Sequence, residues 1–250
     1  MTLTTQTRQL KVDNSTSLSI VIPTYNEEDS IREVVCNTFE TLPNYFIDYE
    51  VIVVNDGSFD RTAQILNELT NKFDKLCVIE QSNCGFGAAL MAGITTASKE
   101  YVAYLPADGQ FLISDMRNCF ELIGNSDLVL GYRGGRSDYT FTRIVMSYGY
   151  LILLALLFDI KYMDVGWVHI WRTGKVRKLD LKGSRGIFVL TEIIVQFQHA
   201  GYVVVEGPSF YHPRIGGEAK NTSLRVVTDT FLAALKLWLE VKRARGRIQS

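Results

Sequence analysis

The sequence predicts an α/β fold, a mostly parallel sheet flanked by helices with a helical C-terminal extension. Three observations predict it. Short, apolar, β-branched runs recur along the first half of the 250 residues. Stretches with an apolar face at helical spacing separate them. The loops that follow the runs collect carboxylates, amides and glycines. Strand and helix alternating at this spacing imply crossover units and parallel pairing.

The elements follow in order. Leu18 to Pro23 (LSIVIP) is a short apolar run and predicts a buried strand. Ile31, Val34, Val35, Phe39 and Leu42 fall on one helical face, which Pro43 should stop. Tyr49 to Asn55 predicts a second buried strand, and Asp56-Gly57-Ser58 a turn. Asp60 can cap a helix carrying Ile65, Leu66, Leu69 and Phe73. Leu76 to Glu80 predicts a strand, Gly85 to Ser98 a helix, Tyr101 to Leu105 a strand, Met116 to Ile123 a helix and Asp127 to Tyr132 a fifth strand. Beyond Tyr132 the rhythm changes. Gly134 to Thr142 predicts a loop, and a long apolar helix should start near Arg143. Gly201 to Val205 predicts a strand and Pro213 to Asn221 a loop. Leu224 to about Arg243 predicts a last helix, with Val227, Phe231, Leu235 and Trp238 on one stripe. The expected division is a flexible leader over 1–17, one domain over 18–222, and an amphipathic helix with a basic tail over 223–250.

Charge and composition narrow the function. The chain has 26 basic and 27 acidic side chains, net charge −1, which argues against a generic basic nucleic-acid binder. Apolar residues make up 47%, enough for a sizeable core. Cys36, Cys77, Cys84 and Cys119 form no C-x-x-C pair, and His169, His199 and His212 have no metal-ligand spacing on one helix face. The four cysteines read as free, mostly packed thiols in a reducing compartment. The first nineteen residues hold no apolar segment of the kind a secretory signal needs. Ile144 to Phe158 is uncharged and apolar all round, but shorter than the roughly 20 residues that span a bilayer. It predicts either a core helix or one lying in a membrane interface.

In open parallel sheets ligands bind outside the carboxyl ends of the strands. Here the first strand leads to Pro23-Thr24-Tyr25-Asn26-Glu27, the second to Asn55-Asp56-Gly57-Ser58, the third to Asn83-Cys84-Gly85-Phe86-Gly87, and the fourth to Pro106-Ala107-Asp108-Gly109-Gln110. Singly, each is open to a plain structural role, as a turn, a close helix packing or a cap. Jointly they describe a site. Asp56 and Glu27 can accept hydrogen bonds from a base or ribose. Backbone N–H groups around Gly85 and Gly87 can approach a polar ligand. Asp108 with Gln110 can direct two oxygens at a hard divalent cation holding a diphosphate. Neither a G-x-G-x-x-G nor a P-loop is present.

The stretches IVIPTYNEEDSI (20–31), EVIVVNDGSFDRT (50–62) and NCGFGAALMAGI (83–94) resemble glycosyltransferase family 2, most closely its polyprenyl-phosphate branch of dolichyl-phosphate mannose synthase type. The likeness runs over roughly 17–220. It implies a GT-A fold, a Rossmann-like sheet binding a nucleoside-diphosphate sugar, UDP- or GDP-linked. It implies that Pro23, Tyr25, Glu27 and Asp56 surround base and ribose, and that Asp108, with Gln110 close by, holds Mg²⁺ or Mn²⁺. Arg214, Gly217 and Lys220 in PRIGGEAK resemble the family's R-x-x-G-x-S-K loop, which would close over the diphosphate. Arg133 and Arg143 match positions that bind the acceptor phosphate. The implied reaction is inverting transfer of a sugar to a polyprenyl phosphate, in cell-envelope or glycan biosynthesis, by a hexosyltransferase on the cytoplasmic face of a membrane. A membrane-protein partner is possible on that reading, and nucleic acid is not expected. Three departures stand out: Pro106 replaces the first aspartate of D-x-D, Ala219 replaces the loop serine, and Val165 to His169 replaces S-G-F-R. They leave open a hydroxyl acceptor, for which Asp138 and Glu192 are candidate bases, or a non-catalytic nucleotide-sugar-binding protein.

Overall fold

The computed structural model describes residues 16–134, 141–181, 186–210, 212 and 224–248. Seven strands form one sheet in the order β3-β2-β1-β4-β6-β5-β7. They are β1 (Leu18–Thr24), β2 (Tyr49–Asp56), β3 (Leu76–Gln81), β4 (Tyr101–Tyr104), β5 (Leu128–Arg133), β6 (His169–Arg172) and β7 (Val204–Ser209). β1 pairs in parallel with β2 and β4, β2 with β3, and β5 with β7. β6 lies between β4 and β5 and runs antiparallel to both. The crossover helices of the first half are α1 (Ile31–Thr41), α2 (Thr62–Thr70) and α3 (Phe86–Thr96). The rest are α4 (Arg117–Phe120), α5 (Phe141–Phe158), α6 (Thr173–Val176), α7 (Phe188–His199) and α8 (Leu224–Ile248).

β1, β2 and β4 are largely apolar and buried because helices cover both faces of the sheet, whereas β3 at one edge is only partly buried. Successive residues point to opposite sides, so each strand feeds two cores. Ile20, Ile22, Val51, Val53 and Ala103 pack with Val34, Val35, Leu66 and Leu69 from α1 and α2. Val21, Ile52, Val54 and Val102 pack on the other side with residues of α3, α5, α7 and α8. α3 crosses β1 so closely that a Cβ on Gly93 would sit 2.2 Å from Val21 Cγ1.

Several boundaries differ from expectation. Pro43 does not end the first helical segment outright, and a 3₁₀ turn over Leu42–Asn44 carries it on. The helix expected over Met116 to Ile123 is broken into a 3₁₀ turn at Ile113–Met116, the single turn of α4, and a second 3₁₀ turn at Ile123–Asn125. The strand expected at Gly201 starts at Val204, since Gly201 turns the chain at φ +69°. On α8 Ala234 and Leu237 are buried and Trp238 packs against the same core, as expected of its stripe, while Phe231 is exposed and the Val227 side chain lies outside the described residues. α5 is two-faced rather than buried all round: Leu154 and Phe158 are buried, whereas Ile152 and Leu156 are exposed. Among the described residues no helix is long and apolar enough to cross a membrane.

Candidate active site

The parallel strands end together, and their loops interlock. Asp56 closes β2 with its carboxylate buried. Oδ1 accepts from Gln81 Nε2 at 2.7 Å and from the Cys84 N–H at 2.8 Å. Oδ2 accepts from the Gly85 N–H at 2.8 Å. Gly85 sits at φ +89°, a conformation only glycine adopts freely, and this turns its N–H toward Asp56 at the start of α3. Gly87 is buried in the first turn of α3. Asp56 therefore ties the ends of β2 and β3 to the mouth of that helix.

The loop after β1 is bound to the loop after β2. The Asn26 N–H donates to Ser58 Oγ, and the Phe59 N–H donates to Asn26 Oδ1, each at 2.9 Å. The Glu27 N–H donates to Thr62 Oγ1 at 2.9 Å, and Arg61 Nε donates to Glu28 Oε2 at 2.8 Å. Pro23 is buried under this loop, and Tyr25 lies edge-to-face with Phe59. Asp60 acts as the sequence suggests, accepting from the Thr62 N–H at the start of α2.

The β4 loop joins the same edge. The Ser30 hydroxyl lies 2.8 Å from the Ala107 carbonyl and 3.2 Å from a Glu27 carboxylate oxygen. Asp108 Oδ1 accepts the Gln110 N–H at 3.1 Å, and both side chains are half-buried. Tyr104 marks where the charges meet. Its phenol is pushed well above its ordinary pKa by burial, then by the negative charges of Asp108 and Glu27, and Arg133 opposes the shift. Glu27, Asp108 and Arg133, from three strand-end loops, thus all act on this buried ring through their charge.

Arg133 closes β5. Its Nε and Nη2 bond the two oxygens of Asp164 at 2.6 and 3.0 Å, and its guanidinium lies 4.6 Å over the ring of Trp167. Trp167 Nε1 donates to Ser209 Oγ at 3.1 Å. The side chains of Arg133 and Asp164 are 11% and 4% exposed, so the cation expected at an acceptor phosphate is already neutralised by a buried carboxylate. Arg143 lies in the first turn of α5, with its side chain outside the described residues. Arg214, Gly217, Lys220, Ala219 and Asp138 also lie outside them. Glu192 is buried on α7, with Gln196 Nε2 at 3.5 Å from its carboxylate.

Sequence reasoning missed two features. Asp164 carries no local signal, being 31 residues from Arg133. His212 does have one, since it stands at the root of the basic loop: its N–H donates to the Gln110 carbonyl at 3.0 Å, and Nε2 lies 2.9 Å from Asp115 Oδ2. His212 therefore sits beside Gln110. Among the described residues no three His, Cys, Asp or Glu side chains converge to hold a metal ion. One carboxylate with one amide is a donor set suited to a hard ion held mainly by substrate oxygens, as Mg²⁺ commonly is, and not to a protein-caged ion.

Residues 19–177 match the family model "Glycosyl transferase family 2". The chain belongs to that family. A dolichol-phosphate mannosyltransferase of Pyrococcus furiosus is 30% identical over 81% of this chain and 58% of its own length. A dodecaprenyl-phosphate galacturonate synthase of Rhizobium johnstonii is 28% identical over 93% of this chain and 70% of its own. An undecaprenyl-phosphate 4-deoxy-4-formamido-L-arabinose transferase of Pseudomonas fluorescens is 36% identical over 50% and 38%. The chain thus spans between about four- and seven-tenths of the length of these curated relatives. The fold is similar to that of glucosyl-3-phosphoglycerate synthase from Mycobacterium tuberculosis, crystallised with Mn²⁺, UDP and phosphoglyceric acid, at a TM-score of 0.70 and 15% identity over 89% of this chain and 78% of that one. It is also similar to mannosyl-3-phosphoglycerate synthase from Rubrobacter xylanophilus, at 0.68 and 15% over 94% and 76%. The GT-A fold that the motifs imply is the fold observed.

Proposed function

We propose that this family 2 chain transfers a sugar, with inversion, from a nucleoside-diphosphate sugar to a polyprenyl phosphate at a membrane surface. The observation that carries the proposal is the interlocking of the strand-end loops at the carboxyl edge of the sheet, where Ser30 Oγ lies 2.8 Å from the Ala107 carbonyl and 3.2 Å from the Glu27 carboxylate, and Asp56 binds the mouth of α3. The acceptor class rests on the relatives, three of which are named for lipid phosphates. A phosphate oxygen is anionic at neutral pH, so attack on the sugar C1 needs no strong general base. An oxygen–C1 bond forms, the C1–diphosphate bond breaks, and the diphosphate leaves with its electron pair.

The protein's task is then to stabilise the leaving group and place the acceptor. Asp108 and Gln110 would hold a Mg²⁺ or Mn²⁺, which when bound neutralises charge on the diphosphate. Pro106 removes one carboxylate from that set, so the ion would depend more on the donor's own oxygens. Arg214 and Lys220 would close on the diphosphate, Arg143 would meet the acceptor phosphate, and Pro23, Tyr25, Glu27, Asp56, Gly85 and Gly87 would form the nucleotide side. Arg133 would act from within its Asp164 pair.

Membrane contact is supported by exposed apolar residues on two helices that share a core. Val145, Met146, Ile152 and Leu156 on α5, and Phe231, Leu232 and Leu239 on α8, face outward. Lys236, Lys242, Arg243, Arg245 and Arg247 supply positive charge along the second. This fits a peripheral interfacial attachment to anionic lipid.

Full-length protein is to be incubated with labelled UDP- and GDP-sugars, Mg²⁺ or Mn²⁺, and liposomes with or without polyprenyl phosphate. Label entering the lipid only when polyprenyl phosphate is present supports the proposal. Transfer to a soluble hydroxyl, or donor binding without turnover under any condition, overturns it in favour of a saccharide acceptor or a non-catalytic binder.

A further inference from the structure

Phe59 is the most exposed large apolar side chain among the described residues, at 82%. Single exposed hydrophobics are ordinary. This one is not simply left out in solvent, because the chain goes to some cost to hold it in place. Its N–H is bonded to the Asn26 side chain, and the Asn26 N–H is bonded to the neighbouring Ser58. Asn26 itself sits at φ +50°, a backbone region non-glycine residues rarely occupy. Ser58 is held from below, its N–H donating to Asn55 Oδ1 at 3.2 Å. The ring is thus mounted on two cross-linked loops at the carboxyl edge of β1 and β2.

Tyr25 stands beside it. The two ring centroids are 6.1 Å apart and the planes meet at 79°. Two rings at nearly a right angle make a corner. A flat heterocycle can stack on one face while its edge meets the other, the geometry aromatic quadrupoles favour. The Asp56 carboxylate, the polar group next along this edge, already accepts three protein N–H bonds. Stacking rather than new polar contacts is then what this end of the site has most to offer.

We infer that Phe59 forms, with Tyr25, the stacking wall for the nucleobase of a bound nucleoside diphosphate, and so sets donor affinity from the base end. This rests on the donor class of the proposed function and adds to it a role for Phe59, which lies in the 50–62 stretch but has no role in that reading. The diphosphate end, at Asp108 and Gln110 on β4, is a separate part of the edge.

The test is calorimetric titration of the full chain with UDP, GDP and inorganic diphosphate, each with Mg²⁺. Phe59→Ala should weaken whichever nucleoside diphosphate the wild type binds by roughly tenfold or more, the scale of a lost base–aromatic stack. It should leave inorganic diphosphate binding and the melting temperature unchanged. Phe59→Trp should restore nucleotide affinity. Ile47→Ala, an exposed apolar change just before the opposite end of β2, should do nothing. Equal nucleotide affinity of wild type and Phe59→Ala overturns the inference and leaves the proposed function standing. An equal loss for inorganic diphosphate overturns it too, by showing that the effect is not at the base. A wild type that binds inorganic diphosphate but neither nucleotide, or none of the three, overturns both.

Discussion

The two halves of the sheet are built differently. In β3-β2-β1-β4 every pairing is parallel, each crossover is short, and the strand-end loops are cross-linked by Asn26, Asp56 and Ser30. In β6-β5-β7 a four-residue antiparallel strand is wedged between two others, and a buried ion pair spans 31 residues. Hydrogen bonds between residues 25 to 77 positions apart tie the loops of the first half into one cradle. Both halves depend on contacts that exist only once the chain has folded, but the second joins its strands through a buried ion pair and leaves the outer faces of α5 and α8 apolar and exposed. On the proposed function, the donor would lie on the first half and the acceptor and membrane on the second.

The comparison can be broken from either side. The largest effect is expected at Asp164. Asp164→Ala strands the Arg133 guanidinium in a buried site, which should cost about 3–5 kcal/mol in denaturant unfolding. A loss under 1 kcal/mol would mean that the second half does not rely on this pair. Asp108→Asn should act oppositely, slowing turnover at least a hundredfold, about 2.7 kcal/mol in the barrier, with little change in stability. Near-normal turnover in steady-state assays would remove Asp108 from the metal role. Gly93→Ala drives a Cβ into Val21 at the tightest crossing of the first half and should cost about 1–3 kcal/mol, read as a lower melting temperature.

A pH effect should come from β6. His169 is fully buried, and burial pushes its pKa down to about 3, against smaller upward pulls from the Asp164 charge and from the Val165 backbone. The unfolded chain takes up this proton first. Stability from the neutral ring is therefore complete above about pH 6.5 and is lost as pH falls from there toward 3, by up to about 1.4 kcal/mol per unit. His169→Phe should flatten that slope in denaturant titrations between pH 7 and 5; an unchanged slope would refute the assignment. The smallest effect is expected at Leu156, 79% exposed on α5. Leu156→Glu should weaken sedimentation with anionic vesicles by about 1–2 kcal/mol of apolar burial while leaving thermal stability alone. Undiminished vesicle binding would place the membrane contact elsewhere.

Much of the first half was legible. Runs such as Ile20 to Ile22 and Val51 to Val54 are continuously apolar because both faces are covered, and that pattern is visible without tertiary knowledge. β6 was not legible. His-Ile-Trp-Arg is too short to show a period, and its place between β4 and β5 is set by pairing with residues about 40 and 70 positions away. α8 departs from its expected stripe at Phe231 for a related reason: Trp238 packs on the core, but the residues that the neighbours leave room to bury are Ala234 and Leu237.

The sequence by itself determined the parallel half of the sheet, the carboxyl edge on which its polar loops gather, and the family to which these motifs belong. Those are written in local periodicity and in residues a few positions apart. Only the tertiary structure decided that β6 runs backwards, that Arg133 is held by Asp164, and that Phe59 stands out beside Tyr25. Each needs segments distant in sequence to meet, and the free energy of such a meeting depends on burial and geometry that no single stretch of chain contains.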